Sequence, residues 1–367
     1  MGVKPVASGN TTSQKYFRIL SIDGGGIRGI IPAAVLTKVE EAIRSKTNDN
    51  NLKIGDCFDM IAGTSTGGIL TCVYLAPDTA NPAKARFSAK DALNLYMQNG
   101  DEIFDRSAWK RIVSLGGLAD EKYSAEMLEK TLKNYFGDLE LCQLIQPCLI
   151  TAYNTKRYES FFYTQHDAKI KPERNFLVRD VARATSAAPT YFEMALSESL
   201  DNIPNAAPMI DGGVFANNPA ACALVEALRL HKVAPTTENM LPLEISNVAI
   251  LSLGTGKKTA SISYKEGKDW GLAGWAKPLI SILMDGVAQT VTYQVETVFE
   301  SIGVKNQFLR IDGEFGDYKN NLDIEGIDSS MDNASTDNMR RLERFGQQLA
   351  QNYRTQIDDF VTNYLLS

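Results

Sequence analysis

Short apolar runs alternate with stretches of helical spacing along this chain, a pattern that predicts an α/β layered fold organised as one main domain. YFRILSI at 16–22 reads as a buried strand; it ends in a glycine turn at 24–26, after which IIPAAVLTKVEEAI places apolar residues at helical intervals. A second unit repeats the plan, with CFDMIAG at 57–63 as a strand and the almost wholly apolar GGILTCVYLA at 67–76 as a helix that must be buried. Both units put a tight turn at a strand's carboxyl end, the edge at which open parallel sheets bind ligands. Further strands are predicted at 146–152, 158–163, 207–211, 247–253 and 306–311, and helices near 86–99, 124–135, 178–186, 218–231, 277–302 and 335–365. The stretch 100–123 mixes aromatic, basic and glycine residues and fits either a flap over a site or an ordinary surface connection. The apolar stripe of the 277–302 helix (Leu279, Ile280, Leu283, Met284, Val287) is read as core.

Composition narrows the function classes. No run of about 18 apolar residues is present, so membrane contact would be peripheral. The polar tail at 1–16 lacks an apolar stretch of the secretory kind, which predicts a cytoplasmic protein. A net charge of −6 argues against a nucleic-acid partner and against electrostatic docking on anionic lipid. The five cysteines are odd in number and lack metal-ligand spacing, which predicts buried free thiols and no metal site.

Two motifs carry chemistry. Gly63-Thr64-Ser65-Thr66-Gly67 fits G-x-S-x-G between a strand and a helix, a turn so sharp that only glycine fits two residues either side of the serine. It lifts Ser65 to the amino end of a buried helix, whose dipole and free N–H groups favour developing negative charge. Asp23-Gly24-Gly25-Gly26-Ile27-Arg28-Gly29 contains G-x-G-x-x-G, yet the next strand ends in GTSTGG instead of the acidic residue a dinucleotide ribose requires. Its glycines can instead aim backbone N–H groups at one point, as a tetrahedral acyl intermediate needs, each such donor being worth about 2.7–4 kcal/mol. Arg28 could add positive charge there, bind a phosphate head group, or be a solvated arginine of a first helical turn.

Serine needs a proton acceptor, and the chain has only His166 and His231. His231 ends the helix that starts near Asn218, so a rise of about 1.5 Å per residue sets it about 20 Å from that helix's first turn. His166, polar-flanked, reads as a surface residue. Asp211 in PMIDGGVFANNP is the better candidate: a short apolar strand delivers its carboxylate to the sheet's edge, and Gly212 and Gly213 permit close backbone approach. Free aspartate, with a pKa of about 3.9, is a poor base, so desolvation would have to raise it.

These residues, DGGGIRG at 23–29, GTSTG at 63–67 and DGG at 211–213, taken in that order, resemble the patatin-like phospholipase family. ARATSAAPTYF at 182–192, NNPA at 217–220 and SLGTG at 252–256 extend the likeness over roughly 17–256, while the last hundred or so residues match loosely. The resemblance implies a three-layer α/β/α fold with a mainly parallel central sheet and a catalytic core at 17–256; the chain's remaining residues, 257–367, are expected to form a mainly helical part packed on the same domain. It implies hydrolysis of phospholipids, lysolipids or galactolipids without metal or coenzyme, a small-molecule activator being left open. Ser65 would be the nucleophile and Asp211 the base, with Gly24, Gly25, Gly26 and Arg28 as the oxyanion-hole loop and Gly63, Gly67, Gly212 and Gly213 as motif glycines. An acyltransferase using the same acyl-enzyme, and a non-catalytic lipid-binding or storage protein, are the alternatives.

Overall fold

A computed structural model describes residues 16–103, 125–201, 206–233, 242–257, 262–318 and 323–367; most of the 100–123 stretch lies outside them. Its strands are β1 (Phe17–Ile22), β2 (Met60–Thr64), β3 (Cys148–Asn154), β4 (Glu159–Tyr163), β5 (Ala195–Ser197), β6 (Ala207–Asp211), β7 (Val248–Leu253) and β8 (Phe308–Ile311). The longer helices are α1 (Ile30–Thr47), α2 (Thr66–Leu75), α3 (Ala89–Ile103), α4 (Glu126–Phe136), α5 (Val178–Thr185), α6 (Ala220–Val233), α7 (Leu272–Ser301) and α8 (Thr336–Asn352).

The eight strands of the described residues join one sheet in the order β5-β6-β3-β2-β1-β7-β8, with β4 on β3. The run from β3 to β8 is parallel, and β4 and β6 run against β3. The side-chain period of two divides this sheet between two cores. Leu20, Ile22, Ile61, Ile150, Ala249 and Leu251 face one apolar cluster, shared with α1, α2 and α5. Ile19, Met60, Ala62, Leu149, Val248 and Ile250 face the other, with Ala223 and Ala227 of α6 and Val295 and Phe299 of α7. Helices therefore cover both faces, giving the three-layer α/β/α arrangement.

Strands buried on both faces read as continuous apolar runs, which is why β1, β2 and β7 are legible in sequence. Three expectations need correction. β2 starts at Met60, not Cys57, because Ile54–Cys57 form a helical turn closed when Asp56 accepts the Lys53 N–H (3.2 Å). The helix expected over 335–365 is broken: α8 stops at Asn352, and the chain resumes as a short helix at Arg354–Phe360 and a π-turn at Val361–Leu365. The α7 stripe is not all core: Met284 is buried, but Leu279 and Leu283 are 45% and 44% exposed. The second half of α7 covers the sheet through Val295 and Phe299, and among the described residues its first half contributes nothing to that cluster. Among the described residues no helix is long and apolar enough to cross a membrane.

Candidate active site

Two strand ends meet on one edge of a third strand. Along β3, β4 pairs with 150–154, β2 with 148–151 and β6 with 152–154, so β2 and β6 share the edge that β4 leaves free. They approach from opposite directions: Thr64 stands opposite Thr151 and Asp211 opposite Ala152, the next residue. Ser65 follows Thr64 directly, so the sheet's register alone brings the serine and the aspartate together.

Ser65 is buried and holds a left-handed backbone, φ 54° and ψ −121°. Such strain costs on the order of 1–3 kcal/mol and persists only where the surroundings enforce it. Here a Cβ on Gly63 would stand 2.1 Å from the Gly67 carbonyl oxygen, so glycine is required where the chain folds back on itself. The Ser65 N–H donates to Thr185 Oγ1 at 2.9 Å, and the Thr66 hydroxyl lies 2.5 Å from that of Tyr96. The first helical bond of α2 runs from the Ile69 N–H to the Ser65 carbonyl, leaving the N–H groups of Thr66 and Gly67 ahead of it.

Asp211 is buried, its N–H held by the Ala187 carbonyl at 3.0 Å. Its Oδ1 accepts the Gly213 N–H at 2.7 Å, the close approach that the glycine pair permits. Among the described residues Oδ2 is buried without a formed hydrogen bond. Burial pushes this carboxyl up to about 7, against the opposing pull of the Ser65 hydroxyl and the Gly213 N–H.

The glycine loop departs from expectation at two positions. Gly24 spends its N–H on the Asn217 carbonyl (3.0 Å), and its own carbonyl accepts the Thr255 hydroxyl (2.9 Å), so it is a packing position and not an oxyanion donor. Arg28 is buried, not solvated, and its guanidinium turns to the carbonyls of Gly256 (3.2 Å) and Gly25 (3.5 Å), bracing the loop from behind. Among the described residues the N–H groups of Gly25 and Gly26 make no hydrogen bond. Gly26 has φ 59°, and a Cβ there would stand 2.3 Å from the Met331 carbonyl oxygen, so this turn needs glycine.

Gly26, Ser65, Thr66 and Asp211 line one narrow cavity of about 40 Å³. Its other walls are mostly apolar, including Ile69, Leu95, Leu128, Leu132, Phe192 and Met284. Neither histidine is there. The His231 ring packs edge-on against Phe17 at 5.0 Å, the first residue of β1 and so the sheet's opposite end. His166 lies 2.6 Å from Glu226, in a cluster with Arg229 and Asp167, and is half-buried instead of lying free on the surface. That cluster draws Glu226 down to about 2, burial opposing and the bonds from His166 and Arg229 prevailing.

The model of the family described as patatin-like phospholipase matches residues 20–224, a span that contains the glycine loop, the serine turn and Asp211. The chain belongs to the patatin-like phospholipase family. Among patatin-like relatives, "Patatin-like protein 4" of Arabidopsis thaliana is 30% identical over 357 residues, covering 94% of this chain and 85% of its own. "Patatin-like protein 2" of Oryza sativa subsp. indica is 28% identical over 375 residues, covering 98% and 90%. "Probable inactive patatin-3-Kuras 1" of Solanum tuberosum is 29% identical over 336 residues, covering 90% and 85%. The solved structure of "Human GIVD cytosolic phospholipase A2" aligns at a TM-score of 0.44 and 11% identity, over 96% of this chain and 61% of that one, a similarity too loose to bear on the site. Family membership places this patatin-like protein among lipid acyl hydrolases in general terms.

Sequence patterns assign no role to several residues that build the site. Thr185 and Ala187 fall within ARATSAAPTYF, Asn217 within NNPA and Thr255 within SLGTG, so the extra patatin-like motifs are the segments that clamp the serine turn, the aspartate and the glycine loop.

Proposed function

We propose that this chain hydrolyses fatty-acyl esters of phospholipid, lysolipid or galactolipid through Ser65 and Asp211, by way of an acyl-enzyme. The observation that carries this reading is the meeting of β2 and β6 on one edge of β3, which sets a strained serine beside a buried, partly unpartnered carboxylate.

Ser65 Oγ attacks the ester carbonyl carbon while its proton passes to Asp211 Oδ2. The N–H groups of Gly25 and Gly26, with that of Thr66, hold the resulting oxyanion. Collapse expels the alcohol portion of the lipid, which takes the proton from Asp211 and leaves the acyl chain on Ser65. Water then attacks the acyl-enzyme, again giving its proton to Asp211. The second collapse frees the fatty acid and returns the proton to Ser65. A carboxyl that titrates near neutrality serves both as acceptor and as donor in this cycle.

The test is fatty-acid release, resolved by mass spectrometry, from a mixed panel of phospholipid, lysolipid and galactolipid by wild type and Ser65→Ala. Ser65-dependent release supports the reading and names the lipid class. Equal release by both proteins removes Ser65 from the chemistry, and acylated glycerol formed in place of free acid makes the protein an acyltransferase.

A further inference from the structure

We propose that the exposed face of the first half of α7 docks the protein on a lipid–water interface of neutral lipid. The proposal rests on the lipid-hydrolase reading of the adjoining cavity.

Trp275, Leu279, Ile282 and Leu283 are 39%, 45%, 46% and 44% exposed. Their spacing of four, seven and eight residues from Trp275 puts them on one side of the helix. Trp270 packs edge-on against Trp275 at 5.3 Å and adds a second indole at the helix's amino end. An exposed apolar strip of this kind marks an interaction surface. Aliphatic side chains flanked by indoles match a membrane boundary, where the aliphatics enter the acyl region and the indoles sit at head-group level.

Two features select lipid. Met284, next to Leu283, turns inward, is buried and lines the cavity that holds Ser65, so the exposed face begins where the cavity wall ends. A lipid withdrawn from an interface contacted by this face would thus have a short path to the serine. Across 275–284, the span of the face, Lys277 is the one charged residue, and the whole chain carries −6. The attraction is therefore apolar instead of ionic, and the fitting surface is zwitterionic or uncharged lipid, not anionic lipid.

The experiment uses full-length Ser65→Ala protein, which cannot consume its target, and sedimentation with phosphatidylcholine vesicles. Adding Leu279→Ser and Leu283→Ser should lower the partition coefficient at least about tenfold, as removal of two leucine side chains from an apolar contact implies. Binding should survive high salt. In the Ser65 background the same pair of substitutions should leave turnover of a dissolved short-chain ester unchanged, since neither leucine lines the cavity. Vesicle binding unaffected by the substitutions, or abolished by salt, overturns the proposal. So does a wild-type dimer that the substitutions convert to monomer, which would make the face a self-association surface. Vesicle binding lost on substitution, with no ester cleaved by wild type, upholds the docking face while the hydrolase reading fails.

Discussion

Asp23 is gripped on both carboxylate oxygens by Arg310, at 2.9 Å and 2.6 Å, in the interior beneath the glycine loop. Asp23 is the residue before Gly24, so this pair fixes the start of the loop to β8, a strand far along the chain. Burial pushes Asp23 up to about 6, and Arg310 keeps it from rising further.

Breaking that pair should be costly. Arg310→Met leaves the buried carboxylates of Asp23 and Asp312 without the cation they share, and the expected loss is roughly 3–5 kcal/mol of stability. Adding Asp23→Asn should recover part of it, because the charge of Asp23 is then gone and Asp312 keeps Lys257 at 3.9 Å. Urea unfolding of the two single variants and the double variant checks this; simple additivity would show that the pair is not coupled.

Asp211 predicts opposite pH trends for activity and for stability. As a base it must be ionised, so kcat/KM should rise with pH through about 7 along a single ionisation and then level off. An unfolded aspartate titrates at about 3.9, so between that value and the folded one the folded chain binds more protons. Stability should therefore fall as pH rises through that window. Asp211→Asn, neutral throughout, should lack this fall, so that its melting-temperature advantage over wild type is small near pH 4 and full above about pH 7. A constant difference across that range would contradict the buried, titrating carboxyl.

Thr185 should matter through the turn it holds. Thr185→Val leaves the Ser65 N–H buried without its acceptor, an expected cost of roughly 1–3 kcal/mol. With the strained serine free to relax, kcat should fall while KM changes little. Thr185→Ser keeps the hydroxyl and should restore kcat. Steady-state kinetics on a dissolved ester checks both, and a Thr185→Val enzyme with unchanged kcat would show that the turn holds itself.

The serine turn and Asp211 are legible in sequence because each is announced locally. GTSTG requires its glycines within five residues, and the apolar MI before Asp211 marks a strand end. What the register adds is not local: the meeting of Thr64 and Asp211 depends on how β2 and β6 divide one edge of β3, and no periodicity encodes that pairing. Arg28 departs from the solvated reading because the Gly256 carbonyl that receives it is distant in sequence, whereas a basic residue in a first helical turn ordinarily faces water. The loss of Gly24 as a donor has the same origin in Asn217. β5 is illegible because three residues are too few to show alternation, and the α7 stripe reads as core because an apolar stripe looks the same whether or not a partner covers it.

Whether Ser65 is a nucleophile activated by Asp211 is decided most simply by covalent trapping with an organophosphonate ester, read by mass spectrometry of the peptide that carries Ser65. The expected result is one adduct per chain, on Ser65, absent from Ser65→Ala and formed at least about a hundredfold more slowly in Asp211→Asn, as loss of a general base implies. Labelling of Ser65→Ala at the wild-type rate, or full-speed labelling of Asp211→Asn, would contradict it.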